Sequence, residues 1–597
     1  MEKVYQFYTS NVESYNIRIN NLKNKIHLFG TIRLILVAGL VAAIWFLKNY
    51  NWQILTIGIL VFLIPFIVLM VYHTSLSRKK SYAEALRDLC LNELNGLNYD
   101  FSAFDGVAEK INGEHSFTLD LDIFGERSFF QSINRTVTLQ GKNLLAEWFT
   151  CPLTNKKEIL IRQEAIKELS TLSHLRQHFY VTGKEQPGKE SDANTLYTLT
   201  KSKLYFAHSI FWRVMMWIVP ALWVLLVIGY LLNIIDYQLL TIFFFICIFL
   251  AFAKTKLVNQ IHNEVNKMEK IFNTYSNLMK SIEGDDFKSD LLSQISHQLI
   301  TGNVPASKAI KQLSKYIGAL DQRVSAAGII MNIFTLRDIR KVYALEKWKL
   351  TYGQDVIGWI DALAQFDALS SLAGFSFNHP EYIYPEICDS YFQMSGKQLG
   401  HPLVPREVCV RNDISIEKNP YFMIVTGANM AGKSTYLRTV GINFLLSCIG
   451  APVWADELNV YPAHLVTSLR TSDSLVSNES YFFAELKRLH MIIERLRNGE
   501  ELFIILDEIL KGTNSIDKQK GSLALIKQLI SFKTCGIIAT HDLILGTLQE
   551  EFPNDVKNYR FEADIQKDEL SFSYTLREGV AENMNACFLM QKMGITI

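Results

Sequence analysis

Tyr421-Phe-Met-Ile-Val-Thr-Gly-Ala-Asn-Met-Ala-Gly-Lys-Ser-Thr435 is the stretch around which the chain is organised. Phe422 to Val425 is a β-branched and aromatic run that predicts a buried strand, broken at Gly427. A helical pattern follows from Ser434 through Tyr436, Leu437, Val440, Phe444 and Leu445. Between strand and helix stands Gly427-x-x-x-x-Gly432-Lys433-Ser434, a full phosphate-binding loop in its required setting. The glycines let backbone N–H groups converge on phosphate oxygens, and the helix N-terminus adds partial positive charge. The expected nucleotide-binding set is Gly427, Ala428, Asn429, Met430, Ala431, Gly432, Lys433, Ser434 and Thr435. Lys433 would reach the β/γ-phosphates of ATP, and the Ser434 hydroxyl would ligate Mg²⁺. A chance glycine turn would have to satisfy four fixed positions and both flanking elements at once.

Two further segments suit the same chemistry. Glu501-Leu-Phe-Ile-Ile-Leu-Asp507-Glu508 predicts a buried strand ending in two carboxylates. In an ATPase sheet the first, Asp507, assists Mg²⁺ and the second, Glu508, polarises the attacking water. Gly536-Ile-Ile-Ala predicts a third strand ending at Thr540-His541-Asp542, where His541 can contact the γ-phosphate. A lone histidine is more often a packed polar residue, and here the context favours function. Strands alternating with helices imply a parallel sheet with nucleotide at the strands' carboxyl ends.

The 597 residues exceed what one core can bury, so two to four domains are expected. A formal net charge of +1 gives no global attraction to nucleic acid. The eight cysteines are scattered with no C-x-x-C pair, which argues against a zinc site or a disulfide framework.

Two apolar stretches, 29–47 and 53–72, are each close to the length needed to cross a bilayer. Trp45, Tyr50 and Trp52 lie near the turn between them, as interfacial aromatics do. A second apolar pair spans 214–235 and 237–253. Lys23, Lys25, Arg78, Lys79, Lys80, Lys201, Lys203, Arg213, Lys254 and Lys256 flank the outer ends of the pairs, whereas the inner turns carry only Lys48 and Asp236. The charge bias predicts a multi-pass protein of the cell membrane with both termini and the ATP loop cytoplasmic. Membrane lipid is thus an expected partner. Almost no ionisable residue falls within the spans, so no ion path is suggested.

The expected organisation is an amphipathic lead-in over 1–28, hairpins at 29–74 and 206–254, a helical domain split between 75–205 and 255–395, and an ATPase domain over 396–597. Residues 256–282 predict a long helix that could run straight out of the fourth span.

Together these residues resemble the MutS family of DNA mismatch-repair ATPases over roughly 115–205 and 255–597. Thr426 to Arg438 resembles the family's phosphate loop, including Asn429 and Met430. Leu506-Asp-Glu-Ile-Leu-Lys-Gly-Thr-Asn-Ser-Ile-Asp517 resembles its acidic strand and following loop, and Ala539-Thr-His541 its switch histidine. Gly400-His-Pro402 and Asn412-Asp413 resemble the approach to the ATPase domain, and Asn134-Arg-Thr-Val-Thr with Gly141 the start of the core and lever region.

The apolar stretches and the resemblance together give an expected α + α/β fold: membrane hairpins, which the family pattern does not supply, with an all-α core and lever domain and a C-terminal ABC-type P-loop ATPase with a mainly parallel sheet. The resemblance implies a homodimer joined through the ATPase domains, with two shared ATP sites. Ser480 is the candidate that reaches across to the partner's nucleotide, although Asn478 stands where the family has glycine. The reading expects no mismatch-reading domain with a Phe-x-Glu wedge before residue 115, no DNA-gripping clamp where the pair 214–253 sits, and no helix-turn-helix extension beyond Ile597.

The expected function is a membrane-anchored ATP-driven switch, with binding of mismatched DNA inherited from the family. A membrane-remodelling or transporter-like ATPase is the alternative, and a non-hydrolysing scaffold a third.

Overall fold

The computed structural model describes residues 1–184, 203–265, 268–428, 430–470, 481–511, 513–566 and 569–582. It divides into two compact units, Met1–Asp105 with Phe377–Pro380, and Gly106–Ser376 with Glu381–Ile597.

The first unit is built on two 46-residue helices, α1 (Glu2–Leu47) and α2 (Trp52–Leu97). Residues 1–28 are continuous with the first apolar stretch, and Arg78–Lys80 lie inside α2 rather than beyond it. Close approach of the helices depends on missing side chains: a Cβ on Gly39 would lie 2.5 Å from Phe62 Cε1. At the end remote from the turn, Val4, Tyr8, Cys90 and Leu97 form a small core with Phe7 and Phe377. There Tyr8 Oη donates to Asn378 Oδ1 (2.8 Å), and Asn378 Nδ2 donates to Glu93 Oε2 (2.7 Å). Towards the turn the apolar side chains face outward instead; Leu34, Trp45, Ile57 and Val71 are 63–71% exposed.

The second unit opens with helices α3 (Leu139–Thr150), α4 (Lys156–Thr171), α5 (Ser173–Lys184), α6 (Ile210–Leu231), α7 (Tyr237–Phe252) and α8 (Thr255–Val265). They are followed by α9 (Glu269–Glu283), α10 (Ala306–Asp321), α11 (Ala326–Thr335), α12 (Arg337–Tyr352) and α13 (Asp355–Asn378), whose last two residues group with the first unit. By length and composition α1, α2 and α6 are apolar enough to cross a membrane, and α7 with α8 qualifies as a pair bent by 44°. Helices α8 and α9 occupy the helical pattern expected over 256–282, and the bend means that it does not run straight out of α7. The chain bends after α7 so that Val258 and Ile261 can join Leu320, Ile339 and Val342 in a local core.

Asn134-Arg-Thr-Val-Thr138 acquires a physical role here. Thr138 Oγ1 caps α3 by accepting the Gly141 N–H at 3.0 Å. Asp367, fully buried on α13, accepts the N–H groups of Val137 and Thr138 and the Thr138 hydroxyl at 2.6–3.1 Å. Burial pushes its carboxyl up to about 7, against the pull of these donors. A Cβ on Gly141 would lie 2.3 Å from Asp367 Oδ2, so only glycine admits the carboxylate.

Among the described residues the α/β part carries two main sheets and a short hairpin over Ala563–Gln566 and Glu569–Phe572. The smaller of the main sheets contains β1 (Glu386–Ile387), β2 (Met394–Leu399) and β3 (Asn412–Ile416). The larger contains β4 (Tyr421–Gly427), which continues as helix α14 (Lys433–Cys448). Next come β5 (Glu457–Val460), which joins the smaller sheet, and β6 (His464–Ser468), then α15 (Tyr481–Arg497), β7 (Leu502–Asp507), α16 (Ser515–Ser531), β8 (Cys535–Thr540), β9 (Val556–Phe561) and β10 (Arg577–Glu578). The large sheet runs β10-β9-β4-β8-β7-β6, parallel except at the β10 edge. β4 and β8 are buried nearly throughout, as befits strands covered on both faces. One core cluster joins Phe149, Trp359 and Phe366 of the helical part to Phe444 and Phe503 of the sheet.

Asp367→Asn should lower the unfolding temperature by several degrees, with a loss on the order of 3 kcal/mol, because an amide replaces one oxygen of a buried acceptor. Gly141→Ala should act similarly through the clash, and calorimetry reads both.

Candidate functional site

β4 ends at Gly427 with φ +151°, and a Cβ there would lie 2.4 Å from the Phe561 carbonyl oxygen. Gly432, at φ +106°, opens α14. Both glycines of the loop motif thus occupy backbone conformations that side chains rarely adopt. Met430 also has positive φ and is exposed, whereas Ala431 is buried. Asn429 lies outside the described residues, as does the segment 471–480 with Ser480.

The charged side chains converge at the carboxyl ends of the strands. Lys433 is 5% exposed, and its Nζ donates to the carbonyls of Gly427 (2.8 Å) and Ala428 (3.0 Å). Burial lowers its pKa, while Asp507 and Glu508 favour the charged form. Ser434 Oγ donates to Asp507 Oδ2 at 2.7 Å. Asp507 Oδ1 is buried without a hydrogen-bond partner among the described residues. Burial raises the Asp507 pKa, and the Ser434 bond opposes the rise.

Glu508 sits one residue beyond β7 at φ +49°. Its Oε1 lies 2.7 Å from His541 Nε2, and its Oε2 3.4 Å from Lys511 Nζ. The His541 hydrogen bond, helped by Lys511, holds Glu508 down to about 2. An Nε2–H that donates to Glu508 has no lone pair for Lys433, so the 3.3 Å between those nitrogens is proximity alone. The arrangement offers an ionised carboxylate, a cation and a hydroxyl–carboxylate pair in one place.

Beside the loop lies a cleft of about 430 Å³, lined by Thr435, Gly432, Lys433, Ser434 and Glu508, and walled by Leu399, Val404, Val408, Cys409, Val410 and Tyr574. Sequence reasoning missed these walls. The apolar triplet Val408-Cys-Val410 in a polar loop was the available signal; Tyr574 offered none. Asn412 ties Tyr574 down, accepting the Leu576 N–H at 2.7 Å and donating to the Tyr574 carbonyl at 3.0 Å. His401 also lines the cleft; burial lowers it to about 4, so it is neutral.

Two buried carboxylates fix the surroundings. Asp120 accepts the Thr467 hydroxyl and the N–H groups of Leu469 and Arg470 at 2.5–3.1 Å, and Arg470 clasps Asp122 through both Nη atoms. Arg438, one turn along α14 from Ser434, donates to the Asp120 carbonyl at 3.1 Å. On the other side, Glu485 of α15 is 3% exposed and accepts the N–H groups of Leu510 and Lys511. That contact ties α15 to the turn that carries Glu508.

Glu485→Ala leaves two amides without their acceptor. Exchange of the Leu510 and Lys511 amides should quicken about tenfold or more, with exchange in β4 unchanged, as hydrogen–deuterium exchange mass spectrometry can check.

Residues 423–593 match the family model for MutS domain V, and residues 112–213 that for MutS domain III. The chain is 28% identical over 241 residues to human MutS protein homolog 4, covering 39% of this chain and 24% of that protein. It is 30% identical over 226 residues to the DNA mismatch repair protein MutS of Thermotoga petrophila, covering 37% and 28%. The MutS of Chloroflexus aurantiacus matches at 30% over 245 residues, covering 40% and 25%. The chain thus matches about a quarter of the length of these curated relatives. Domain III matched over 112–213 and domain V matched over the large sheet together support the MutS family for this chain.

Proposed function

We propose that this chain is a membrane-anchored MutS-like ATPase in which nucleotide binding and hydrolysis move the helical domain. The observation that carries the reading is the cluster of Lys433, Ser434, Asp507, Glu508 and His541 beside a cleft of nucleotide size.

Among the described residues no group of three or more His, Cys, Asp or Glu side chains makes a metal cage. The Ser434 hydroxyl with the spare, buried Asp507 Oδ1 nonetheless fits Mg²⁺, which usually takes one or two protein ligands beside phosphate oxygens and water. Bound there, the ion would neutralise charge on the phosphates. Lys433 would exchange its carbonyl partners for phosphate oxygens. Glu508, ionised at neutral pH, would orient a water and accept its proton, with His541 holding the carboxylate in place. Arg438, Asp120 and Arg470 give movement of the loop helix a direct route into the 112–213 region.

The exposed apolar faces of α1, α2, α6 and α7 support membrane anchoring, and the basic residues flanking the apolar pairs favour a cytoplasmic nucleotide cleft. Homodimerisation through the large-sheet domain, with Ser480 reaching across, extends the family pattern to this chain. So does DNA, mismatched or otherwise, as the target; the bacterial relatives are mismatch repair proteins by name. A membrane-remodelling role is the second reading, favoured by the direct packing of α6 and α7 on α11 and α12.

Glu508→Gln should lower ATP turnover by about 10²–10⁴-fold while leaving ATP binding intact. Unchanged turnover would remove Glu508 from this role. Duplex binding by the solubilised protein, with and without a mismatch, should weaken steeply between about 50 and 200 mM salt if DNA is the target. Absence of salt-sensitive binding would leave the membrane as the working substrate.

A further inference from the structure

Helix α11, Ala326-Ala-Gly-Ile-Ile-Met-Asn-Ile-Phe-Thr335, is ten residues long and belongs to neither apolar pair. It is too short to cross a bilayer. Its inner face packs between α6 and α7: Ile333 and Leu336 meet Val219, Trp223, Phe243, Cys247 and Ala251. The Phe334 ring lies 4.6 Å from that of Trp223 and 6.4 Å from that of Phe244. Trp223 is thirteen residues into α6, or about 20 Å along it at 1.5 Å per residue. Phe334 is thus level with the middle of the apolar pair, not with its end.

The first half of α11 is largely bare. Ile329, Ile330 and Met331 are 41–56% exposed, and Val324 just upstream is 76% exposed. The helices on which α11 packs expose apolar residues too, Ile218, Leu222 and Leu225 on α6 and Ile242, Phe245 and Ile246 on α7. Cations bracket the helix. Arg323 pairs with Asp338 at 3.2 Å, and Arg337 reaches Gln322 at 3.4 Å; each keeps one Nη1 without a partner among the described residues. Arg340 donates from Nε and Nη2 to the Met216 carbonyl at 3.1 and 2.5 Å, and its guanidinium lies 5.2 Å from the Trp217 ring. Pro220 has no N–H to offer that carbonyl, so Arg340 takes the place of the missing helix bond. An arginine that serves an intrahelical carbonyl while flanking apolar helices suits the headgroup boundary.

We propose that α11 is a re-entrant membrane segment: it enters the bilayer from the side of α10 and α12, lies among acyl chains beside α6 and α7, and returns. Lipid is the committed occupant of its bare residues, because α11 packs at mid-height on α6 and α7, whose own outward residues are apolar and exposed. The proposal rests on the reading of α6 and α7 as bilayer-crossing. Its consequence is mechanical. α11 links α10 directly to α12, so a shift between those two helices would move a wedge within the lipid.

The test places an environment-sensitive NBD fluorophore at Ile330→Cys and, separately, at Leu225→Cys on α6. Both are made in the full chain with Cys151, Cys388, Cys409 and Cys587 changed to serine and reconstituted into phosphatidylcholine–phosphatidylglycerol vesicles. Quenching by brominated acyl chains is compared with quenching by iodide in the bath. Loss of most emission to brominated lipid at both positions, with little loss to iodide, is the expected result. Lipid quenching at Leu225 with iodide quenching at Ile330 would overturn the proposal and spare the crossing helices. Protection of Ile330 from both quenchers would overturn it in favour of a covering protein, including a second copy. Iodide quenching at both positions would sink the underlying membrane reading itself.

Discussion

Parallel register between three neighbouring strands is the constraint on which the rest of the site depends. β8 pairs with β4 so that Thr540 stands beside Thr426, and with β7 so that Ala539 stands beside Asp507. Because the strands run the same way, their carboxyl ends finish on one edge of the sheet. The loop after β4, the two acids ending β7 and the histidine after β8 therefore meet, although they are far apart in the chain. Antiparallel pairing of any one strand would send its terminal residues to the opposite edge. The glycine conformations at Gly427 and Gly432 then let the loop turn back over that edge.

A second pattern recurs through the helical part and into the sheet. Carboxylates on one element accept backbone N–H groups from a remote loop. Asp367 holds Val137 and Thr138, Glu346 holds Tyr205, Phe206 and Ala207, and Glu168 holds Lys288 and Ser289. Asp120 and Glu485 do the same around the cleft. Such charge-assisted bonds are stronger than neutral ones, and they satisfy amides that irregular backbone leaves without partners. Each also fixes the place of a loop, which an apolar contact does less sharply. The chain from Arg438 through Asp120 to Arg470 shows how a loop helix and a distant turn come to share one hydrogen-bond network.

Local pattern made much of this legible. The strand at 421–427, the helix after it, the acid-ended strand at 502–507 and the strand before His541 fall where hydrophobic runs and glycine breaks place them. Apolar length identified α1, α2, α6 and α7. The bend after α7 was not legible, because Lys254 to Val265 is helical by its own periodicity. Its direction is chosen by the pocket that receives Val258 and Ile261, a property of α10 and α12. α11 was not singled out because a ten-residue, mostly apolar helix reads equally well as a core helix.

By itself, the sequence determined which residues of a phosphate-loop pattern the chain carries and which of its helices cannot be covered by polar side chains. Those are matters of composition and short-range spacing, in which each residue needs only its neighbours. Tertiary structure alone decided that Glu508 is held by His541, that Glu485 steadies the turn beneath it, that Tyr574 closes the cleft and that Asp367 requires Gly141. Each of these joins positions remote in the chain. Which partner a buried carboxylate or ring finds is settled by packing, since only the folded core brings those atoms within bonding distance.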